Sequence, residues 1–180
     1  MRACFVGAPS TGKTTLAQKT TTLLGVKEEV SCLSEYATEF QLKHGTTLTL
    51  KDQVKIFDTQ RKREKSAVCA ENVISECPSF LNYIYLLRNH GTDADRSLIA
   101  TILKEAIDTT AYYDHIFYLP LEFKQVSSPV RVYGEADRID IDKLIINFLL
   151  AFAEDQTIVL TGPVHKRLEI IFGVLQGGVF

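Results

Sequence analysis

The chain has 180 residues, of which 46% are hydrophobic and 23% are charged, a composition typical of a packed globular domain that excludes a disordered chain. Its 20 basic and 22 acidic residues give a net charge of -2, which excludes a protein that coats nucleic acid through a strongly basic surface. The longest apolar run, 144–153, is interrupted by Asn147 and is shorter than the roughly 20 residues of a membrane helix.

Short apolar runs alternate with longer helical patterns along the whole chain. The predicted strands are 2–6, 30–33, 73–76, 115–119 and 157–161. The predicted helices are 13–24, 34–43, 49–71, 78–89, 93–107, 141–154 and 164–175. Strands separated by helices predict parallel pairing, because a parallel neighbour needs a crossover of a dozen or more residues.

The apolar strands 117–119 and 158–160 show no alternation, which indicates a sheet covered on both faces. The sequence therefore predicts one α/β domain over residues 1–180. It would be a three-layer sandwich around a five-stranded, mostly parallel sheet. The segment of about 120–140 has a loop-like composition, and we predict a mobile lid there.

Residues 7–14, Gly-Ala-Pro-Ser-Thr-Gly-Lys-Thr, match the P-loop pattern G-x-x-x-x-G-K-[ST] between a predicted strand and a predicted helix. The two glycines permit a backbone turn that aims N–H groups at phosphate oxygens, and the helix N-terminus adds its positive dipole end. Lys13 is predicted to bridge the β- and γ-phosphates, and Thr14 to hold Mg²⁺. The residues predicted to bind nucleotide here are Gly7, Ala8, Pro9, Ser10, Thr11, Gly12, Lys13, Thr14 and Thr15.

Three classes of P-loop protein have no support in the sequence. The N-K-x-D-type guanine reader of a GTPase is absent, and so is an L-S-G-G-Q-like signature of an ABC ATPase. A chain of 180 residues leaves little room for the additional helical domain of the larger ring-forming ATPases. Small kinases remain as the main class.

Two carboxylates lie at the ends of predicted strands, Glu35 after the second strand and Glu76 after the third. In open α/β sheets the ligand lies beyond these carboxyl ends. A kinase needs one group to orient or deprotonate the acceptor hydroxyl and another to hold Mg²⁺. We assign Glu35 as the base and Glu76 to the metal, with the reverse assignment as an alternative. The competing interpretation is that both are solvated charges at helix N-termini.

Four features occur in the order found in one group of kinases. They are the P-loop, the Ser-Glu-Tyr-Ala-Thr-Glu run at 34–39, the third strand with its acid and the Leu-Thr-Gly end of the last strand. Together they resemble the small P-loop kinases related to the ribosylnicotinamide kinase domain, a group also described as AAA-type ATPases. The similarity extends over almost the whole chain. Two features depart from that group: the segment 128–131, Ser-Pro-Val-Arg, lacks an Asp-Gly pair, and the third strand ends in Ser-Glu.

The resemblance implies ATP and Mg²⁺ as cofactors and places Gly162 beside the adenine. It also implies a nucleoside-type acceptor. Some members of the group phosphorylate 5-hydroxymethyl-deoxyuridine within phage DNA. The expected partner is therefore either a free nucleoside-like small molecule or DNA that carries a modified base.

The loop-like segment contains two arginines, Arg131 and Arg138. An arginine supplied by a closing segment stabilises the charge that spreads over a transferring phosphoryl group. Arg131 is predicted to have this role, with Arg138 and Lys124 as alternatives, and Arg138 is also assigned to the nucleotide site. The competing interpretation is an ion pair with a nearby acid such as Glu135.

The predicted helix 49–71 has six basic residues against four acidic ones, with Arg-Lys-Arg at 61–63. A solvated helix face is the favoured explanation, and a patch that meets DNA phosphates is the alternative. Phe57 and Gln60 could reach an acceptor pocket. Aromatic residues that could stack on a base, although core positions are favoured for them, are Tyr36, Phe40, Tyr83 and Tyr85.

The N-terminus runs directly into a predicted strand without a secretory signal, and the four cysteines form no C-x-x-C pair. We therefore expect a cytoplasmic protein, or one in the host cytoplasm if a phage encodes it, without membrane association. A homodimer is a possible assembly. The sequence predicts an ATP- and Mg²⁺-dependent kinase, and the alternative is a P-loop ATPase switch that binds a protein partner.

Overall fold

The computed structural model describes residues 1–26, 29–92, 94–124 and 133–177. The strands of this part of the chain are β1 Arg2–Val6, β2 Val30–Leu33, β3 Asn72–Ser75, β4 His115–Tyr118 and β5 Thr157–Val159. Its α-helices are α1 Lys13–Leu24, α2 Tyr36–His44, α3 Leu50–Ser66, α4 Ser79–His90, α5 Arg96–Thr110, α6 Glu135–Phe152 and α7 Val164–Leu175.

The five strands form one parallel sheet in the order β2-β3-β1-β4-β5. Strand β1 lies in the middle, where Cys4 pairs with Ser75 of β3 and Phe5 pairs with Phe117 of β4. The chain winds to one side of β1 for β2 and β3 and to the other side for β4 and β5. The predicted α/β sandwich with a parallel sheet is confirmed.

Side chains of β1 alternate between two hydrophobic cores. Cys4 and Val6 face the core that α4, α5 and α6 cover, and Ala3 and Phe5 face the core that α1 and α7 cover. Helices on both faces of the sheet make the three layers that the continuous apolar strands predicted. All four of these β1 residues are completely buried.

Local capping explains where α3 and α6 begin. The Thr49 hydroxyl accepts from the Asp52 N–H at 3.2 Å and the Thr49 N–H donates to Asp52 Oδ2 at 3.0 Å, a capping box that starts α3. The Gly134 N–H donates to Asp137 Oδ2 at 2.9 Å, so α6 begins well before the predicted start at 141. Helix α3 ends at Ser66, before the predicted end at 71, because a 3₁₀ turn over Ala67–Cys69 leads into β3.

The predicted lid of about 120–140 divides into three parts. Residues 121–124 form an irregular segment after β4, and residues 135–140 belong to α6, so the loop-like prediction was wrong for that part. Residues 125–132 lie outside the described residues. Within the described ranges, no helix is long and apolar enough to cross a membrane.

Candidate functional site

A cleft of about 330 Å³ opens at the carboxyl edge of the sheet, beside the ends of β1, β2 and β3. This edge at the change of winding direction is where open α/β sheets bind ligands. The P-loop forms part of the cleft wall, and helices α2, α3 and α4 contribute further lining residues. The lining residues from the P-loop and its helix are Pro9, Ser10, Gly12, Lys13, Thr14 and Thr15.

The loop conformation depends on both of its glycines. A Cβ on Gly7 would lie 2.6 Å from the Leu119 carbonyl oxygen and 2.7 Å from Thr11 Oγ1, so no larger residue fits there. Gly12 has a φ of 98°, in the left-handed region, and its carbonyl accepts from the Leu16 N–H as α1 begins. The motif therefore makes the predicted turn from β1 into the N-terminus of α1.

The Lys13 ammonium group lies over the loop and donates to the carbonyl oxygens of Gly7 at 2.9 Å and Ala8 at 3.1 Å. These contacts hold the amine at the loop that would surround the phosphates. Ala8 and Thr11 are buried beneath the surface of the cleft, and the Thr11 hydroxyl donates to the Ala8 carbonyl at 3.0 Å. Ala8 and Thr11 therefore offer only their backbone to a ligand.

Glu35 precedes α2 and lines the same cleft as Lys13. The Thr38 hydroxyl donates a 2.6 Å hydrogen bond to Glu35 Oε2, which orients the carboxylate. A carboxylate held in this way can accept a proton from a hydroxyl group bound in the cleft.

Glu76 also lines the cleft, directly after β3. Partial burial raises the pKa of Glu76, and the nearby charge of Glu35 raises it further, while a hydrogen bond from Gln18 opposes both effects. Two neighbouring carboxylates in one cleft favour the binding of a cation. Carboxylate oxygens and the Thr14 hydroxyl are the hard ligands that Mg²⁺ prefers, so the residues fit the predicted metal.

Among the described residues, no group of three or more His, Cys, Asp and Glu side chains has the arrangement of a complete metal site. This is the expected situation for Mg²⁺ in nucleotide sites, where the phosphates and water supply most of the ligands. The four cysteines are free thiols, and Cys4 and Cys77 are buried.

The cleft wall outside the P-loop has polar amides and aromatic rings that the sequence analysis did not assign to a ligand as a group. Gln53 of α3 and Asn82 of α4 line it and are 3% and 1% exposed. Tyr85 and Tyr133 also line it, with ring centroids 5.7 Å apart and an interplanar angle of 32°. Burial raises the pKa of both phenols, and the charge of Glu35 adds to this effect.

Asn82 has a buried hydrogen-bond donor that meets no acceptor within the described structure. Its Oδ1 accepts from the Cys77 thiol at a sulfur–oxygen distance of 3.9 Å, while its Nδ2 has no partner there. A buried amide N–H without an acceptor is costly, and such a group in a cleft is a candidate for ligand binding. A helix pattern alone does not reveal this donor, because burial depends on the packing of α3 and α4.

Of the aromatic and amide residues considered from the sequence, only Tyr85 lines the cleft. Phe57 and Gln60 are completely buried, and Gln60 Oε1 accepts from the Tyr36 N–H at 3.0 Å. Phe40 and Tyr83 are also buried. The expectation that Phe57 and Gln60 reach an acceptor pocket was therefore wrong. The α3 residue that lines the cleft is Gln53.

Two of the six basic residues of α3 form ion pairs within the protein. Arg61 contacts Glu105 at 2.8 Å. Arg63 donates to both carboxylate oxygens of Glu39 at 2.7 Å each, and its guanidinium lies 4.7 Å from the centroid of the Tyr36 ring. Lys62 between them is exposed. The exposure of the four lysines agrees with the solvated helix face favoured from the sequence: Lys51, Lys55, Lys62 and Lys65.

The predicted arginine roles have different outcomes. Arg131 lies outside the described residues. Arg138 is 0% exposed and does not line the cleft, because its guanidinium donates to Pro9, Phe123 and Glu135. The sequence analysis assigned Arg138 to the nucleotide site, and in the structure Arg138 contacts the P-loop backbone instead.

A second buried arginine, Arg167 of α7, also donates to the P-loop and was not predicted. Its Nε donates to the Gly162 carbonyl at 2.8 Å, and the Gly162 N–H donates to Glu122 Oε2 at 2.8 Å. Gly162 lies outside the cleft wall in this structure. An arginine in an amphipathic helix is normally expected on the exposed face, so the sequence does not indicate that Arg167 is buried.

A family model described as an AAA domain matches residues 2–167 of the chain. Deoxyadenosine kinase from M. mycoides, solved with dCMP and dCDP bound, is similar in structure with a TM-score of 0.70 and 17% identity over 98% of this chain and 100% of that one. Thymidylate kinase from Ehrlichia chaffeensis gives a TM-score of 0.65 and 18% identity, with 98% of each chain covered.

The NadR protein in complex with NAD and AMP-PNP gives a TM-score of 0.73 and 17% identity over 98% of this chain. The match covers 49% of NadR, so the chain spans about half the length of that protein. No curated protein matches the chain by sequence. At these identities the similarity to solved structures shows the fold, and the family model covers nearly the whole sequence. The chain therefore belongs to the AAA domain family and is a small P-loop kinase-like protein.

Proposed function

We propose that this protein is an ATP- and Mg²⁺-dependent kinase that transfers the γ-phosphoryl group to a hydroxyl of a nucleoside-type acceptor. One observation carries the proposal: the P-loop and Glu35 line a single cleft whose wall also has an unpartnered amide donor and two tyrosine rings. A hydrolytic switch needs only the phosphate end of such a cleft. The kinases among the structural neighbours support this choice.

In the proposed reaction the acceptor hydroxyl oxygen attacks the γ-phosphorus as Glu35 takes its proton. The bond between the γ-phosphorus and the β–γ bridging oxygen breaks, and ADP leaves. Loop N–H groups and Lys13 bind the phosphates, so catalysis consists mainly of positioning and charge stabilisation. Arg131 remains the proposed source of additional positive charge on the transferring group, and Gly162 the proposed neighbour of the adenine.

Mg²⁺ would be held by Thr14 and, directly or through water, by Glu76. The ion supplies charge neutralisation on the phosphates when it is bound. Thr14 begins α1 beside the loop, and Glu76 lines the cleft from the end of β3. Thr38 holds Glu35 at one oxygen, which leaves Glu35 oriented for the acceptor hydroxyl instead of the metal.

The acceptor end supports a planar ring that carries a hydrogen-bond acceptor, such as the carbonyl oxygen of a nucleobase or an amide. Asn82 Nδ2 would donate to that oxygen, Gln53 offers a second amide, and Tyr85 and Tyr133 provide flat surfaces. A free nucleoside or nucleotide is favoured over a base within DNA. Both arginines of the 61–63 run are held by ion pairs with Glu105 and Glu39, so only Lys62 of that run is left for DNA phosphates.

Transfer of labelled γ-phosphate from ATP in the presence of Mg²⁺ tests the proposal in two panels. One panel contains free nucleosides and nucleotides, including ribosylnicotinamide, and the other contains DNA with ordinary bases or 5-hydroxymethyluracil. Label on a small molecule is the expected result. Label retained on DNA would show that the acceptor is a base within a DNA strand. Label found only in free phosphate would support the ATPase switch. Reactions with EDTA serve as the control for Mg²⁺.

A further inference from the structure

Two buried arginines lie against the P-loop, and neither lines the cleft. Arg138 is 0% exposed and Arg167 is 1% exposed, although arginine is almost never fully buried without partners. Each comes from the first turn of a C-terminal helix, Arg138 from α6 and Arg167 from α7. Both side chains are therefore enclosed by the protein beside the P-loop and are not part of its surface.

Each arginine binds one carbonyl oxygen of the P-loop. Arg138 Nε donates to the Pro9 oxygen at 2.9 Å, and Arg167 Nη1 donates to the Thr11 oxygen at 3.1 Å. The residue between these two carbonyls is Ser10, which has a φ of 66° and is the one non-glycine residue with positive φ in the described chain. A non-glycine residue in the left-handed region is strained and persists only where its surroundings fix it.

One further donor of each arginine anchors it to the segment 121–124 after β4. Arg138 Nη2 donates to the Phe123 carbonyl at 3.0 Å, and Arg167 Nη2 donates to Glu122 Oε2 at 2.6 Å. The planar guanidinium fork makes these bonds in fixed directions, whereas a lysine ammonium group is a single point of charge. The two side chains thus connect both sides of Ser10 to the same short segment.

We propose that Arg138 and Arg167, together the arginine bracket, are positioning residues that hold the P-loop in its phosphate-binding conformation by fixing the left-handed Ser10. The inference rests on the proposed function only in requiring that the loop binds a nucleoside triphosphate. It does not depend on the identity of the acceptor. The bracket acts through the loop backbone, and neither arginine touches the ligand.

Calorimetric titration with Mg²⁺-ATP tests the bracket in the full-length variants Arg138→Lys and Arg167→Lys. Each should bind ATP at least about tenfold more weakly than the wild type, because one ammonium group cannot bond both the loop carbonyl and the segment 121–124 as the guanidinium does. Arg96→Lys, at an exposed arginine that begins α5, is the matched control and should bind as the wild type does. Circular dichroism and a cooperative melting curve establish that each variant is folded.

The substitution Ser10→Gly distinguishes loop positioning from a general structural role. Glycine adopts positive φ without strain, so Ser10→Gly should restore most of the lost ATP affinity in either lysine variant. Lost affinity without this rescue would overturn the proposal, and so would unchanged ATP affinity in the folded lysine variants.

If a lysine variant does not fold, Glu122→Gln weakens the anchor of Arg167 without emptying the core, and it should lower ATP affinity in the same rescuable way. Unchanged ATP affinity in Glu122→Gln, in the absence of folded lysine variants, would overturn the inference. A wild-type protein that binds no ATP would overturn the proposed function together with this inference. Equal binding by wild type and variants would overturn the inference alone.

Discussion

The hydroxyl of Thr38 donates a 2.6 Å hydrogen bond to Oε2 of Glu35, one turn earlier in the chain. Glu35 sits before α2 and Thr38 lies within it, so the helix itself fixes the direction of the carboxylate. The same carboxylate contributes to the raised pKa values of Glu76, Tyr85 and Tyr133. The charge of Glu35 therefore acts both on Glu76 and on the two tyrosines of the cleft.

Replacing Glu35 by Gln should reduce kcat by about a hundredfold or more, because the proposed general base is lost. ATP affinity should stay within about threefold of the wild-type value, since Lys13 and the loop N–H groups are unchanged. Steady-state transfer and ATP titration measure the two effects. Thr38→Val, which removes only the orienting hydroxyl, should give an intermediate decrease in kcat. An equal loss of kcat and ATP affinity in Glu35→Gln would make Glu35 a structural residue.

Lys13→Ala should abolish transfer while the protein remains folded, since Lys13 supplies the proposed charge on the phosphates. Its ammonium also donates to the Gly7 and Ala8 carbonyls, so a small decrease in melting temperature is expected. The control is Lys19→Ala, at an exposed position of α1. Turnover at the wild-type rate in Lys13→Ala would refute the site assignment.

Asn82→Leu should raise the KM for the acceptor about tenfold or more and leave the KM for ATP unchanged, because only the acceptor end loses a donor. Asn82→Asp replaces the unpartnered donor with an oxygen and should favour acceptors whose ring bears an amino group over those with a carbonyl. Competition between the two kinds of nucleoside measures this preference. A change in ATP binding without any change in acceptor preference would contradict the role of Asn82.

Glu39 should make stability depend on pH in the acid range. Hydrogen bonds from Arg63 lower the pKa of Glu39 from its ordinary 4.5 to about 2. The ion pair therefore stabilises the fold above about pH 4.5, and this contribution is lost as the pH falls towards 2. The pair is partly exposed, so Glu39→Gln should lower the free energy of unfolding at pH 7 by only about 1 kcal/mol.

Urea unfolding of the wild type and Glu39→Gln at several pH values measures this effect. The difference between the two proteins should shrink towards zero as the pH falls below about 3. Glu169→Gln, at an exposed position of α7, is the control and should show no such trend. A difference that stays constant with pH would exclude the ion pair as its cause.

Gly7→Ala should lower the free energy of unfolding by about 1–3 kcal/mol, because the new Cβ would press on the Leu119 carbonyl and the Thr11 hydroxyl. ATP affinity should fall as well, since the loop must shift. Gly134→Ala is a suitable control because its Cβ would meet no atom closer than Asp137 Oδ2 at 3.7 Å. Unchanged stability in Gly7→Ala would show that the loop tolerates the shift.

The parts of this protein that depend on local sequence could be predicted. Apolar runs and turn residues placed β1, β2, α1 and α7 at their observed bounds. The P-loop could be recognised because its glycines and Lys13 act through backbone geometry that lies within a few residues. Glu35 and Glu76 could be located because parallel strands bring their carboxyl ends to one edge.

Features that depend on packing between distant elements could not be predicted. Arg138 and Arg167 are charged, and their burial depends on acceptors in the P-loop and in the segment 121–124, which are distant in sequence. Gln53 and Asn82 look like ordinary helix residues until α3 and α4 place them in the cleft wall. Gln60 appeared equally suitable from the sequence, yet the orientation of α3 directs it to the Tyr36 backbone.

The P-loop and Glu35 belong to parts of the fold that differ greatly in burial. The P-loop follows β1, the central strand, whose residues from Ala3 to Val6 are completely buried. Glu35 follows β2, a strand at the edge of the sheet, and α2 beyond it buries only Phe40. Backbone amides of β1 should therefore exchange with solvent only on global unfolding, whereas those of α2 can exchange through local opening. The P-loop is therefore anchored in the most buried part of the sheet, whereas Glu35 belongs to a segment that can open by itself.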